Sequence, residues 1–513
     1  MDKNYYITTP IYYPSAKPHM GHAYSSIIAD FFARFKRIDG FDVHFLTGTD
    51  EHGLKIQRAA ENMKIDPLEF CNQISQTFRD LSKALNLSNT DFIRTTEERH
   101  KKTVQYLWSE LEKNDDIYLS KYSGWYSISD EAFYSENEII NKDGKNVAEA
   151  SGSQVEWIEE ESYFFRLAKW QDKLLDYYEK NPEFISPKSR KNEVVNFVKG
   201  GLKDLSISRK AFSWGIKVPG NSEHVIYVWL DALTNYLSAL NYPDTKDLLF
   251  KKFWPASVHL IGKDILRFHA VYWPAFLMAA KIPLPNKVYG HGWILSGEEK
   301  MSKSKGNILD PMDIINTYGL DPLRYYLIKE VSFGNDGNIS QDKLEDCINS
   351  DLANNYGNLC QRVTAFAEKN CSSKVPEIKS FNEDDLVMLN KFTDNLETIR
   401  QEINKQNINF YISFIVSALF EANKYFNDQE PWKKKDDKDR LNTIVYTSLE
   451  MIRKISFMLY PIIPDSIDKA LKIFNLNSKD INLESIASHN YLKVGNDINK
   501  IDILFKKIEK KND

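Results

Sequence analysis

Residues 5–9, Tyr-Tyr-Ile-Thr-Thr, make an unbroken β-favouring run, and Pro10, Pro14 and Pro18 follow it closely. That pattern predicts a strand closed off at Pro10 and a loop behind it. Across residues 23–35 the apolar positions Ile27, Ile28, Phe31, Phe32 and Phe35 recur at helical intervals, which predicts an amphipathic helix. Residues 41–46 read as a second strand, ending in Thr47-Gly48-Thr49-Asp50-Glu51-His52-Gly53. Strand, helix and strand in this order open a doubly wound parallel sheet, whose ligands bind at loops beyond the strand C-termini.

From about residue 119 to 218 the texture changes to aromatic and acidic, as in Trp125-Tyr126-Ser127-Ile128-Ser129-Asp130-Glu131. This stretch reads as an insertion between two halves of the nucleotide-binding fold. The sheet is predicted to resume with strands at 224–229, 257–262 and 287–290. Beyond Asn335 the periodicity is helical, at 344–368, 384–404, 409–427, 439–459 and 465–474, which predicts a separate helical bundle. The fold class is therefore α/β, a split Rossmann-type sheet followed by an all-α domain. The expected divisions are 1–117 and 219–295 for the two halves of the sheet domain, 118–218 for the insertion, 296–343 for a loop region and 344–513 for the bundle.

Composition narrows the picture only slightly. A chain of 513 residues, 42% apolar and 13% aromatic, has the volume for several buried cores. Its four cysteines, Cys71, Cys347, Cys360 and Cys371, form no C-x-x-C pair, which argues against a zinc knuckle or a disulfide framework and fits a reducing cytoplasm. The first residues lack a basic-then-apolar leader, and the apolar runs 268–280 and 410–420 are too short to span a bilayer. The formal charge of -5 does not exclude a nucleic-acid partner, because counterion release depends on local cations such as Lys188, Arg190 and Lys191, or Lys433–435.

Two short segments carry candidate chemistry. His19-Met20-Gly21-His22 lies at the predicted strand–loop–helix junction, where a helix N-terminus and two histidines three apart suit phosphate oxygens. Gly21 leaves room for a nucleotide against the backbone. About 280 residues later, Lys300-Met301-Ser302-Lys303-Ser304 sits in a stretch without hydrophobic periodicity, a loop whose lysines could reach a pyrophosphate leaving group. Each alone has a plain alternative: locally satisfied histidines, and a solvated lysine loop.

Together, in this order, the segments resemble the HIGH and KMSKS signatures of class I aminoacyl-tRNA synthetases. The likeness to the methionyl-tRNA synthetase family extends over nearly the whole chain, through Thr8-Thr9-Pro10-Ile11-Tyr12-Tyr13, residues 47–53, Val228-Trp229-Leu230-Asp231-Ala232, Gly262-Lys263-Asp264-Ile265 and Glu430-Pro431-Trp432. The resemblance implies activation of methionine by ATP with Mg2+, then transfer to the terminal adenosine of tRNA(Met), initiator tRNA included. It assigns His19, His22, Lys300 and Lys303 to catalysis, with Lys303 the main cation, and Gly21, Gly262, Asp264 and Lys303 to ATP. Asp50 would hold the α-ammonium of methionine and Arg209 would lie near methionine and adenylate. Ile11, Tyr13, Trp229, Ala232, Leu233, Tyr236, Ile265 and His269 would line the side-chain pocket, Tyr13 or His269 donating weakly to sulfur. Without the resemblance, Trp229, Tyr236 and His269 read as core residues. Asn358, Arg362 and Trp432 would read the anticodon, although Trp432 after Pro431 also suits a helix-start packing role.

Two departures from the family pattern shape further expectations. Residues 125–134 offer Ser127 and Asp130 where many members carry paired zinc cysteines, so no metal site and no structural zinc are expected. The chain ends soon after its bundle, without the β domain that some members use to dimerise, so a monomer is expected. Neighbouring readings fit less well: the branched-chain synthetases need a larger editing insertion, the cysteine enzyme a zinc-thiolate site, and nucleotidylyltransferases lack the bundle. A non-catalytic tRNA-binding relative would carry degraded signatures.

Overall fold

The computed structural model describes residues 3–14, 17–130, 132–296, 299–300, 310–488 and 491–509. The chain forms two compact units, one comprising Val43–His291 with the residues up to Ala29, the other Asp30–Asp42 with Gly292–Asp513.

The first unit is built on strands β1 (Asn4–Tyr12), β2 (Asp42–Thr49) and β3 (Asp91–Arg94), with helix α1 (Met20–Ile38) between the first two. They belong to a six-stranded sheet in the order β3, β2, β1, Val258–Gly262, Val288–His291, Ile185–Ser186. Its register is parallel at Leu46↔Asp91, Ile7↔Val258, Ile261↔Gly290 and Val288↔Ile185. Tyr6, Leu46, Ile93, Leu260 and Val288 are fully buried, as strands covered on both faces must be. Sheet order reverses beside β1: the chain steps to β2 on one side, and Val258–Gly262 lies on the other. The loops leaving these two strands diverge there, which opens a crevice at the strand C-termini.

Three features differ from the sequence reading. Strand β1 continues through Pro10 to Tyr12; its register with Val258–Gly262 covers Ile7 and Thr8, so the proline, which has no N–H to give, falls past that ladder. The predicted strand 224–229 is split. Asn221–Ile226 pairs antiparallel with Ser208–Arg209 and Lys217–Val218 in a separate three-stranded sheet, and Val228–Leu233 is a helix. Trp229, Leu230, Ala232 and Leu233 satisfy a helical turn as well as a strand, and burial of Leu230 and Leu233 decides for the turn. Helix α1, predicted amphipathic, is buried along nearly all of its length, including Asp30, Arg34 and Lys36.

Within residues 118–218 a four-stranded antiparallel sheet runs in the order Leu205–Ser206, Glu156–Phe165, Ile117–Ser127, Ala132–Tyr134. Ile185–Ser186, from the same stretch, instead extends the parallel sheet.

The second unit is helical, with Gln341–Cys347, a π-helical stretch Ile348–Gly357, Asn358–Asn370, Glu383–Asn404, Ile408–Asp428, Lys438–Leu459 and Pro464–Ala470. Its start, residues 30–38 of α1, is held by a buried ion cluster. Asp30 accepts from Arg34 and Arg324, both at 2.7 Å, while Arg324 also donates to the carbonyls of Ile462 and Pro461.

Candidate active site

His19 and His22 stand at the entrance of α1. The His19 N–H donates to Nδ1 of His22 at 3.0 Å, and the Gly21 N–H donates to Nδ1 of His19 at 3.1 Å. A ring nitrogen that accepts carries no proton, so both imidazoles hold theirs on Nε2. The two rings lie 3.9 Å apart, and burial, with His19 beside it, pushes the His22 pKa well below its ordinary value. The helix mouth therefore offers neutral N–H donors rather than two adjacent cations. A Cβ on Gly21 would lie 2.9 Å from Cε1 of His19, so glycine is what lets the ring fold back over the turn. Tyr12 and Ser26 share a 2.7 Å hydrogen bond beneath this turn, and Ser25 meets Nε2 of His291 at 2.8 Å.

Across the crevice, Val258–Gly262 delivers Gly262 into the turn Lys263–Ile265. A Cβ on Gly262 would fall 2.6 Å from Oδ1 of Asp264 and 4.0 Å from Cε1 of His291. The glycine is thus fixed by the carboxylate beside it, and His291, one residue past the predicted strand 287–290, joins the same corner. Lys300 belongs to the second unit, where Glu299–Lys300 pairs antiparallel with Ile294–Ser296. Lys303 lies outside the described residues.

Leu233 and Tyr236 belong to the main apolar core of this unit, Ile11, Trp229, Ile265 and Phe268 pack against it, and Ala232 is buried. Trp229 stacks on Phe268 at 3.6 Å with planes 10° apart, and His269 meets Trp229 edge-on. Nδ1 of His269 lies 3.0 Å from the Ile265 carbonyl, which only accepts, so its proton is there and Nε2 accepts the Tyr236 hydroxyl at 2.7 Å. Burial outweighs the carbonyl and Asp264 and lowers the His269 pKa to about 4. The proton anticipated for sulfur is therefore committed to Ile265. Tyr13 is committed too: its hydroxyl donates to the His52 carbonyl at 3.1 Å, and its ring packs against the Ile56–Phe70 cluster, not the Trp229 one.

Asp50 is buried at the end of β2, with its N–H donating to the Tyr12 carbonyl at 2.9 Å. Glu51 beside it accepts from Thr49, Thr96 and both arms of Arg94, which pins the loop. Arg209 is buried, donating to Ser206 Oγ and the Ser208 carbonyl, with its guanidinium 4.4 Å from the Tyr227 ring. In the insertion, Asp130 takes hydrogen bonds from Tyr134, Ser151 and Ser153, and its own N–H donates to Ser127.

In the helical unit, Asn358 is exposed at the start of Asn358–Asn370 and Arg362 follows one turn on, its guanidinium 5.5 Å from the Phe426 ring and bonded to Asn427. Trp432, in the turn Pro431–Lys433, is 41% exposed and meets Phe426 edge-on. Arg362 and Trp432 thus share Phe426 as support, and Arg362 alone is bonded to Asn427. Sequence reading gave no role to His52, His100, His291 and Asn427; His52 stood inside the recognised segment 47–53, while His100 had no recognised neighbour in sequence. Among the described residues no cluster of three or more histidine, cysteine or acidic side chains could hold a metal ion, and no helix is long and apolar enough to cross a membrane.

Comparison with known proteins adds an independent line. Residues 5–364 match the family model for class I tRNA synthetases (M), and residues 375–513 match the anticodon binding domain of methionyl tRNA ligase. The methionine–tRNA ligase of Rickettsia conorii is 50% identical over 513 residues, covering 99% of this chain and all of that protein. That of Brucella melitensis is 51% identical over 473 residues, 92% of each chain. The Mycobacterium tuberculosis methionyl-tRNA synthetase in complex with methionyl-adenylate superposes with a TM-score of 0.95 at 44% identity, covering 98% of this chain and 99% of that one.

Proposed function

The chain belongs to the class I tRNA synthetases of the methionine type, and from that premise we propose a residue-level reading of how it works. It is a methionine–tRNA ligase. The methionine carboxylate attacks the α-phosphorus of ATP, pyrophosphate leaves, and the terminal ribose hydroxyl of the tRNA then takes the methionyl group from the adenylate, releasing AMP.

In this reading the Nε2–H groups of His19 and His22, with the N-terminal end of α1, stabilise the charge that builds on the phosphate oxygens. Gly21 and Gly262 give the nucleotide room against the backbone, and Asp264 accepts from ribose hydroxyls. Lys300 and Lys303 neutralise the departing pyrophosphate, with Mg2+ travelling on the ATP rather than in a protein cage. Asp50 receives the α-ammonium and Arg209 the carboxylate side of methionine or its adenylate. The cluster of Ile11, Trp229, Ala232, Leu233, Tyr236, Ile265 and His269 takes the thioether, by shape and sulfur–ring contact rather than by a proton from His269. Tyr13 instead holds the His52 carbonyl two residues beyond Asp50. No side chain forms a covalent intermediate.

Asn358, Arg362 and Trp432 offer amide, guanidinium and indole groups to the unpaired anticodon bases of tRNA(Met), the initiator included. Residues 125–134 suit zinc poorly, because they contain no cysteine or histidine and the Asp130 oxygens are engaged by three hydroxyls. Stoichiometric zinc in purified protein would overturn that point. A monomer in a reducing cytoplasm completes the reading; the four cysteines are all unpaired.

The observation that carries this reading is the pair of Nε2-protonated histidines at the mouth of α1, facing the same switch point as Gly262. The deciding experiment is ATP–pyrophosphate exchange with each of the twenty amino acids. Exchange with methionine alone is expected; exchange with another amino acid would keep the phosphate machinery and overturn the pocket.

A further inference from the structure

Asp231 lies in the short helix Val228–Leu233, between Trp229 and the pair Ala232 and Leu233, and is fully buried. Both carboxylate oxygens are used. Oδ2 is 2.6 Å from Nδ1 of His52 and Oδ1 is 2.7 Å from Nε2 of His100, whose Nδ1 meets the Ser238 hydroxyl at 2.8 Å. Burial by itself would raise the carboxyl pKa, but the two histidines outweigh it and hold Asp231 below the usual range, so it is an anion.

Histidine 52 is two residues beyond Asp50 in the same loop. Its carbonyl is held by the Tyr13 hydroxyl at 3.1 Å, its ring packs edge-on against Trp214, and its side chain is held by Asp231. Trp214 in turn donates from its indole N–H to the Glu51 carbonyl at 2.6 Å. The Asp50 N–H is meanwhile fixed to Tyr12. Loop 50–53 therefore has its main chain anchored to the end of β1, to Thr95 and to Trp214, and the His52–Asp231 pair links its side chains to the pocket helix. A buried carboxylate held by hydrogen bonds costs desolvation and adds little net stability, so the value of the link lies in fixing one geometry.

We propose that Asp231 and His52 form a positioning pair that sets the distance between the ammonium-binding carboxylate of Asp50 and the side-chain pocket around Trp229, and so selects amino acids by length. This rests on the reading of Asp50 and Trp229 given above. Neither residue touches the reacting atoms. His100, on the other oxygen, braces the carboxylate from the helix Glu98–Lys113, and its second ring hydrogen bond goes to Ser238 rather than to loop 50–53.

The test is methionine-dependent ATP–pyrophosphate exchange by the wild type, Asp231→Asn, His52→Gln and His100→Gln, with ethionine as the substrate one methylene longer. For Asp231→Asn and His52→Gln the KM for methionine is expected to rise about tenfold or more while the KM for ATP stays within about twofold. The preference for methionine over ethionine should shrink in both, and His100→Gln should keep it. A melting curve for each variant identifies any that fail to fold. If Asp231→Asn does not fold, His52→Gln, which leaves the Asp231 carboxylate and its His100 bond in place, decides. The proposal is overturned if the folded variants keep the wild-type KM for methionine, if both KM values rise together, or if His100→Gln loses discrimination equally. Absence of methionine-dependent exchange in the wild type would instead overturn the pocket reading beneath it.

Discussion

His22 shows how little room a single side chain has at this site. Its Nδ1 is already occupied by the His19 N–H, and its neutral ring leaves one proton, on Nε2, to donate. His22→Gln retains a donor but loses the ring geometry, and kcat for exchange is expected to fall by about 10²-fold with the methionine KM little changed. A steady-state comparison of the two parameters checks this. Gly21→Ala should do comparable damage by another route, since its Cβ would meet the His19 ring at 2.9 Å and push it out of line. Both histidines and the glycine were readable in the sequence as a spacing. Their proton positions were not, because these follow from backbone N–H groups that point at Nδ1 only once α1 has formed.

The elements that hold the site depend on buried charge as well as apolar packing. Arg324 satisfies Asp30 of α1 together with two carbonyls, all inside the second unit. Arg324→Met leaves Asp30 with Arg34 alone and frees the Ile462 and Pro461 carbonyls. A loss of about 3–5 kcal/mol in unfolding free energy is expected, measured by urea titration. In the insertion, Asp130→Ala removes the acceptor shared by Tyr134, Ser151 and Ser153. The segment 127–153 should become the first site of limited proteolysis, with exchange activity retained. Most helix boundaries in the bundle were legible to within a residue or two, for instance 384–404 against Glu383–Asn404, because long amphipathic periods survive packing; the predicted 344–368 instead spans three consecutive stretches from Gln341 to Asn370. The strand 224–229 was misread because a six-residue apolar run fits strand or turn, and only its neighbours choose.

Across the protein, several histidines are held neutral by burial. His22 and His259 lie well below the ordinary value and His269 falls to about 4. The unfolded chain takes up these protons near pH 6.5, so between there and about 4 it binds more protons than the fold does. Stability should therefore fall as pH drops below 6.5, by about 1.4 kcal/mol per pH unit for each such ring. Asp231 adds to the same slope lower down, since its stabilisation is present above the usual carboxylate pKa and lost as pH falls through its depressed one. Melting temperatures from pH 7 to 4 check the sign. The second unit makes a separate claim: Trp432→Ala should weaken tRNA charging while leaving exchange intact, and equal losses in both assays would remove Trp432 from anticodon reading.

Fold class, most of the element order, the two signature-like segments and the family resemblance were present in the chain as written, because each is a pattern in neighbouring or regularly spaced residues. Contacts between distant residues were not. The bond from His52 to Asp231 joins positions 179 apart, and that from Tyr236 to His269 joins positions 33 apart. Spacing along the chain does not encode such pairs; they exist because the parallel sheet brings the ends of β1, β2 and Val258–Gly262 to one edge. Hydrophobic periodicity determines which elements form, since burial is local and non-directional. Where a proton sits, and which carboxylate holds which loop, is directional, and it was decided when the elements packed.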